Sequence, residues 1–136
     1  MALVTDKVAL SRWAHGVIIP KRRSVGLTAT VAKASAGAVE YMKVAKVNNI
    51  TAAIQELKRN GVWVFGTAAE GSIPMYQADL KGATAIVIGS EGDGMSRLVR
   101  ESCDVTVHIP MRGRISSLNA SNAASILLYE AVRQRL

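Results

Sequence analysis

Ala85-Ile86-Val87-Ile88-Gly89-Ser90-Glu91-Gly92-Asp93-Gly94-Met95 is the stretch that decides the fold. Its first four residues are apolar without a break, and three of them are β-branched. Such a run, stopped by glycine, reads as a strand buried on both faces of a sheet. Val62-Trp63-Val64-Phe65 before Gly66-Thr67 repeats the pattern, so Trp63 is expected in the core with its neighbours. Strands covered on both faces need helices on both faces, which implies an α/β domain with a mainly parallel sheet. Ligands of open sheets of this kind bind outside the carboxyl ends of the strands, where glycine admits close backbone approach. One glycine turn is explained by turn geometry alone. Two at successive strand ends keep a ligand site open as an equal reading. No Lys-Ser or Lys-Thr follows the glycines, so the loop is not a Walker loop. Glu91 and Asp93 would repel a pyrophosphate, and the loop suits a neutral or cationic ligand, or hydroxyl groups, better.

The rest of the chain follows the same alternation. Val17-Ile18-Ile19 is a strand closed by Pro20 and the basic run Lys21-Arg22-Arg23. Residues 42–47 alternate apolar and basic, as a strand with one wet face does. Asn49 caps a helix with the stripe Ile50, Ala53, Ile54 and Leu57, and Asn60-Gly61 stops it. Val105, Val107 and Ile109 form a strand before Pro110. A final helix carries Leu118, Ala123, Ala124, Leu127, Leu128, Ala131 and Val132 at helical spacing. Cys103 reads as a small buried residue at a helix end. Residues 1–13 are different: one short strand candidate, Ala2-Leu3-Val4, precedes a helical scrap too short to bury a face. The strand–helix unit that should open a doubly wound domain looks collapsed.

At 136 residues there is chain for one core, and 49% apolar with 20% charged residues is a globular composition. Seventeen Lys and Arg against ten Asp and Glu leave +7, which makes a polyanion a plausible partner. A single cysteine excludes an intramolecular disulfide and suits a reducing compartment. No apolar run reaches membrane-spanning length and no signal-peptide pattern opens the chain, so a soluble cytoplasmic protein without membrane partners is expected. Aromatic residues at 4% argue against stacking platforms for single-stranded bases. His15 and His108 lack metal-ligand spacing, and no metal is expected.

A third feature sits before the last helix: Ile109-Pro110-Met111-Arg112-Gly113-Arg114-Ile115-Ser116-Ser117-Leu118-Asn119-Ala120-Ser121. Ser116 or Ser117 accounts for a helix cap. Asn119 and Ser121, poor helix formers in the first turns, call for a ligand or a buried partner. Together with residues 85–95 this segment resembles the second and third motifs of the SpoU branch of the trefoil-knotted (SPOUT) RNA methyltransferases. His15-Gly16-Val17-Ile18-Ile19-Pro20 and Ala34-Ser35-Ala36-Gly37-Ala38-Val39-Glu40 match a subgroup that methylates a guanosine 2′-hydroxyl in bacterial large-subunit ribosomal RNA. The resemblance covers about residues 16–135, nearly the whole chain.

That resemblance implies a knotted α/β fold, against the general rule that chains do not thread loops. It implies S-adenosylmethionine as cofactor, held by Gly66, Thr67, Gly89, Glu91, Ile109, Met111 and Leu118. Glu91, Ser117 and Asn119 would lie near the methyl sulfonium and the incoming ribose as the catalytic group. Lys21, Arg22, Arg23, Arg112 and Arg114, with Lys33, Lys43 and Lys46, would face ribosomal or transfer RNA. The family's first motif, Asn-x-Gly-x-x-x-Arg, is missing: residues 1–14 hold no such spacing, and Arg12 is too close to the Val17 strand to supply its arginine. Ala2-Leu3-Val4-Thr5 would be what is left of the first strand. Asn122 also stands where the subgroup has an apolar residue. The chain is thus expected to be one SpoU-like methyltransferase domain over residues 1–136, with an atypical, shortened segment at 1–14. A homodimer is expected, rearranged because the first helix that normally packs on the last is short of chain. The alternative is a truncated or engineered non-catalytic derivative that keeps the knot and cofactor pocket and self-associates.

Overall fold

The computed structural model describes residues 2–5, 16–21, 43–69, 72–89, 94–112 and 120–136. Among these lie seven strands: β1 (Ala2–Thr5), β2 (Gly16–Pro20), β3 (Lys43–Val47), β4 (Trp63–Thr67), β5 (Ile73–Pro74), β6 (Thr84–Ile88) and β7 (Val105–His108). They form one sheet in the order β3-β2-β1-β6-β4-β7-β5, with every neighbouring pair parallel. Three helices accompany them, α1 (Ile50–Arg59), α2 (Arg97–Ser102) and α3 (Ala120–Arg135), and a 3₁₀ turn spans Met75–Gln77. The expected α/β architecture with a parallel sheet is present.

The helices form where their end signals lie. The Asn49 side chain accepts a hydrogen bond from the Ala52 amide, capping α1. At the other end Asn60 turns back on the Glu56 carbonyl through its side chain at 2.8 Å, and Gly61 takes φ +82°, which a side chain would resist.

Side-chain alternation along the strands sorts the core into two layers. On one face Val64, Ala85 and Val87 pack with Ile54 of α1, and Met95, Val99 and Cys103 join from around α2. On the other face Val17, Ile19, Phe65, Ile86, Ile88 and Val107 pack with Ala124, Leu127, Leu128 and Ala131 of α3. The apolar stripe expected of the final helix is therefore its buried side; Leu118 lies outside the described residues.

Polar contacts pin the end of α3 to the chain entering β6. Gln134 donates to the Ala78 carbonyl and accepts from the Leu80 amide, while Arg135 donates to the Lys81 and Gly82 carbonyls. Buried Glu130 receives two hydrogen bonds from Arg133 and one from Gln134. Those Arg133 bonds, its largest influence, hold the Glu130 carboxyl below the usual carboxylate range.

Two expectations need correction. Trp63 is 59% exposed rather than core. It opens β4 at the amino edge of the sheet, and burial begins one residue later at Val64. Cys103 is half-buried, as the C-cap of α2.

The short first strand is a full member of the sheet. β1 lies inside it, third of the seven strands, with Ala2 beside both Gly16 and Ala85. Gly16 stands level with Ala2, and residues 6–15, which join the two strands, lie outside the described residues.

The other end of the sheet holds an unusual crossing. Thr67, the last residue of β4, stands beside Val107, and so does Ile73, the first of β5, on the opposite side of β7. The connection from β4 to β5 therefore crosses β7 at its carboxyl end. Passage of the chain through a loop, as the trefoil knot requires, involves residues 113–119, which lie outside the described residues.

Candidate functional site

Sheet order brings three strand exits together. β4 lies between β6 and β7, so Gly66-Thr67 stands beside Val87 on one side and Thr106-Val107 on the other, with Gly89 and Ile109 each two residues further along those chains. Gly66, Thr67, Gly89 and Ile109 are four of the seven positions expected to hold the cofactor, on one edge and from three separate stretches of sequence. Met111 and Arg112 continue from the β7 exit, both exposed, with Met111 at 38%. Ile109 is half-buried. Glu91, Ser117, Leu118 and Asn119 lie outside the described residues, as do Arg22, Arg23, Lys33 and Arg114.

Gly66 and Gly89 are both fixed by packing inside the chain. A Cβ on Gly66 would stand 2.8 Å from the Cys103 Sγ and 2.8 Å from the Met95 Cε. A Cβ on Gly89 would stand 2.5 Å from the Gly94 carbonyl carbon and 2.5 Å from the Met95 amide nitrogen. Gly89 and Gly94 thus lie against each other, and Gly94 takes φ +67°. Thr67 is occupied as well: its hydroxyl donates to the Val87 carbonyl at 3.1 Å, tying the β4 exit to β6. What remains for a ligand at these positions is main chain.

α2 ends away from this edge, beside the start of β4. The Asp104 carboxylate accepts from the Val64 amide at 2.8 Å and lies 3.7 Å from the Lys58 Nζ. Burial, and then Asp104, push the Cys103 thiol up to about 11, with Lys58 acting the other way. The thiol donates to the Val99 carbonyl and is a packing group rather than a nucleophile.

Two polar residues at this edge carry no sequence signal. Ser72 donates to the Ala68 carbonyl at 2.8 Å, and its oxygen is 2.9 Å from the His108 Nδ1. They are 36 positions apart, and neither stands in a motif. Of the basic residues, Lys21 follows β2 and Lys46 lies near the carboxyl end of β3, beside Ile19. Lys43 starts the same strand three residues, about 10 Å, away from Lys46 at the amino edge, so the strand does not bring all the expected cations to one edge. Among the described residues no three His, Cys, Asp or Glu side chains are placed to hold a metal ion.

Comparison with known proteins agrees with this arrangement. Residues 8–129 match the model of the SpoU rRNA Methylase family. The chain is 51% identical over 129 residues to the 23S rRNA (guanosine-2'-O-)-methyltransferase RlmB of Ralstonia nicotianae, covering 95% of this chain and 52% of that protein. It spans about half the length of the curated relatives it matches. Among solved structures, the SpoU methyltransferase AviRb from Streptomyces viridochromogenes, in complex with AdoMet, superposes with TM-score 0.87 at 30% identity, over 99% of this chain and 60% of that one. An AdoMet-bound rRNA methyltransferase from Sinorhizobium meliloti superposes with TM-score 0.83 at 26% identity, over 99% and 56%. This chain belongs to the SpoU rRNA methylase family.

Proposed function

We propose that this chain is the S-adenosylmethionine-dependent methyltransferase domain of an RNA 2′-O-ribose methyltransferase acting on ribosomal or transfer RNA. The observation that carries the reading is the convergence of Gly66-Thr67, Gly89 and Ile109 at adjacent strand exits. The residues fit the cofactor: half-buried Ile109 and exposed Met111 offer apolar surface beside unadorned main chain, the mixture that small-molecule pockets present. Leu118 completes the apolar side. Bound S-adenosylmethionine supplies an electrophilic methyl group on a sulfonium. Glu91, Ser117 and Asn119 would be the polar group that orients the ribose 2′-hydroxyl toward it. Lys21, Arg22, Arg23, Arg112 and Arg114 neutralise RNA phosphates.

Residues 1–136 act as one such domain with a shortened segment at 1–14. The family's motif arginine has no counterpart in residues 1–14, which hold no Asn-x-Gly-x-x-x-Arg spacing. Activation of the hydroxyl then rests on the polar group alone, at a cost of about 10²–10⁴ in rate. The protein works in the cytoplasm as a homodimer. Tyr129 of α3 and Tyr76 of the 3₁₀ turn, 50% and 62% exposed, belong to the surface that a rearranged pairing would cover. No described helix is long and apolar enough to cross a membrane.

Calorimetric titration with S-adenosylmethionine, followed by transfer of labelled methyl to ribosomal RNA, tests the proposal. Binding with turnover is expected, and the family match favours it over the non-catalytic derivative. Absence of turnover, with or without binding, would reverse that order. Asn119→Ala is expected to lower turnover; unchanged binding and activity would remove Asn119 from the site.

A further inference from the structure

The connection from β4 to β5 begins at Thr67, a proposed cofactor contact, and crosses β7 just before Ile109, another. It is tied down at both ends. The Ala68 amide donates to the Val107 carbonyl at 3.0 Å, and Ser72 meets the His108 ring at 2.9 Å. We propose that Ser72 and His108 form a latch that positions the cofactor segments 66–67 and 109–111 relative to each other. Both are positioning residues, and the inference rests on the function proposed above.

The hydrogen-bond chemistry fixes the form of the latch. A serine hydroxyl has one proton to give. Ser72 gives it to the Ala68 carbonyl at 2.8 Å, so its oxygen is left to accept from His108. The Nδ1 of His108 must then carry hydrogen, which in the neutral ring leaves Nε2 bare. Protonated histidine carries hydrogen on both nitrogens, so the latch holds in either charge state. Only the neutral tautomer with hydrogen on Nε2 alone would break this three-way link, because Ser72 could then meet Nδ1 only by withdrawing its proton from the Ala68 carbonyl. The Ser72 oxygen thereby links a main-chain group at the start of the crossing segment to a side chain at the exit of β7.

Two measurements test this. Nitrogen NMR of the neutral His108 ring, without any cofactor, should show the proton on Nδ1, and Ser72→Ala should shift the ring toward the Nε2 tautomer. A ring with its proton on Nε2 in the unsubstituted chain overturns the latch. Calorimetry with S-adenosylmethionine is the second. Ser72→Ala and His108→Phe should each weaken binding roughly three- to tenfold, the value of one net hydrogen bond. His108→Asn, whose amide can donate in place of Nδ1–H, should restore most of it. In turnover, KM for S-adenosylmethionine should rise while kcat holds, with the cofactor-free melting temperature within about 3 °C of the parent. Binding unchanged by Ser72→Ala overturns the positioning role alone. No binding by the unsubstituted chain overturns the proposed function and this role with it, whatever tautomer is seen.

Discussion

Gly89 is pressed against Gly94 so closely that a Cβ at position 89 would meet the Gly94 carbonyl carbon at 2.5 Å. The obstacle is main chain, which cannot rotate aside as a side chain can. Gly94 differs: nothing lies within 4 Å of its would-be Cβ, but its φ of +67° disfavours any side chain. The two glycines are therefore required for separate reasons, one spatial and one conformational.

Gly89→Ala should cost about 1–3 kcal/mol, as overpacking does, and should push position 89 away from Gly94. Gly94→Ala should cost about 1 kcal/mol through backbone strain alone. Urea unfolding of the two variants would show the difference. Equal costs would mean that Gly89 and Gly94 are not in contact.

Exposure of Trp63 leads to a second contrast. Trp63→Ala should lower stability by less than about 1 kcal/mol, since most of the ring is already in water. Phe65→Ala, two residues on and 3% exposed, should cost about 3–5 kcal/mol. Acrylamide quenching of tryptophan emission gives an independent check, because Trp13 is the only other tryptophan. A drop in the quenchable signal in Trp63→Phe is expected.

These residues also show what could be read in the sequence and what could not. α1 was legible because its signals are local: Asn49 before the stripe, Asn60-Gly61 after it. β4 and β6 were legible because strands buried on both faces are apolar without interruption. The same rule misplaced Trp63, since an apolar run does not mark where the covering helix ends. Of the expected cofactor positions, Gly66, Thr67, Gly89 and Ile109 meet at one edge, yet the reason for the glycines was hidden. Cys103 and Met95 fill the space beside Gly66, and they lie 37 and 29 positions downstream. β5 has two residues, too few for any periodicity, and without it the crossing of β7 and the Ser72–His108 contact leave no trace. The inner place of β1 was equally hidden, because strand order is a property of the whole sheet.

Glu130 predicts an acid limb of stability. Its folded pKa lies below the unfolded value, so its stabilisation is complete above the usual glutamate range and is lost as pH falls through the folded pKa. Arg133 is 56% exposed on its side chain, so solvent screens the pair and the contribution is modest. Glu130→Gln should cost about 1–2 kcal/mol at pH 7 and progressively less as the pH is lowered below about 4. Denaturant unfolding from pH 3 to pH 7 measures this, and a pH-independent difference would show that the carboxylate charge is not what holds Arg133 and Gln134.

Cys103 predicts the opposite limb. Its thiol is pushed up to about 11 in the folded chain from a reference of 9.0, chiefly by burial. A raised acid pKa means that the unfolded state gives up its proton first, so stability falls as pH rises from about 9 toward 11. Reactivity should follow the same shift. Two units leave about one-hundredth of the ordinary thiolate at pH 8, and thiolate is the reacting form. Disulfide reagents should therefore label the folded protein about 100-fold more slowly than the urea-unfolded chain. Cys103→Ala should flatten the alkaline limb and open space beside Gly66, where the sulfur now stands. If that space is what keeps Gly66 a glycine, Gly66→Ala should be better tolerated with Cys103→Ala than alone. The Met95 Cε, equally close but at the end of a flexible side chain, can swing aside, so the cysteine sulfur is the harder obstacle. A double-mutant cycle read by urea unfolding decides it. Favourable coupling of about 1 kcal/mol is expected, and strict additivity would show that Met95 or the main chain, not Cys103, sets the limit at the β4 exit.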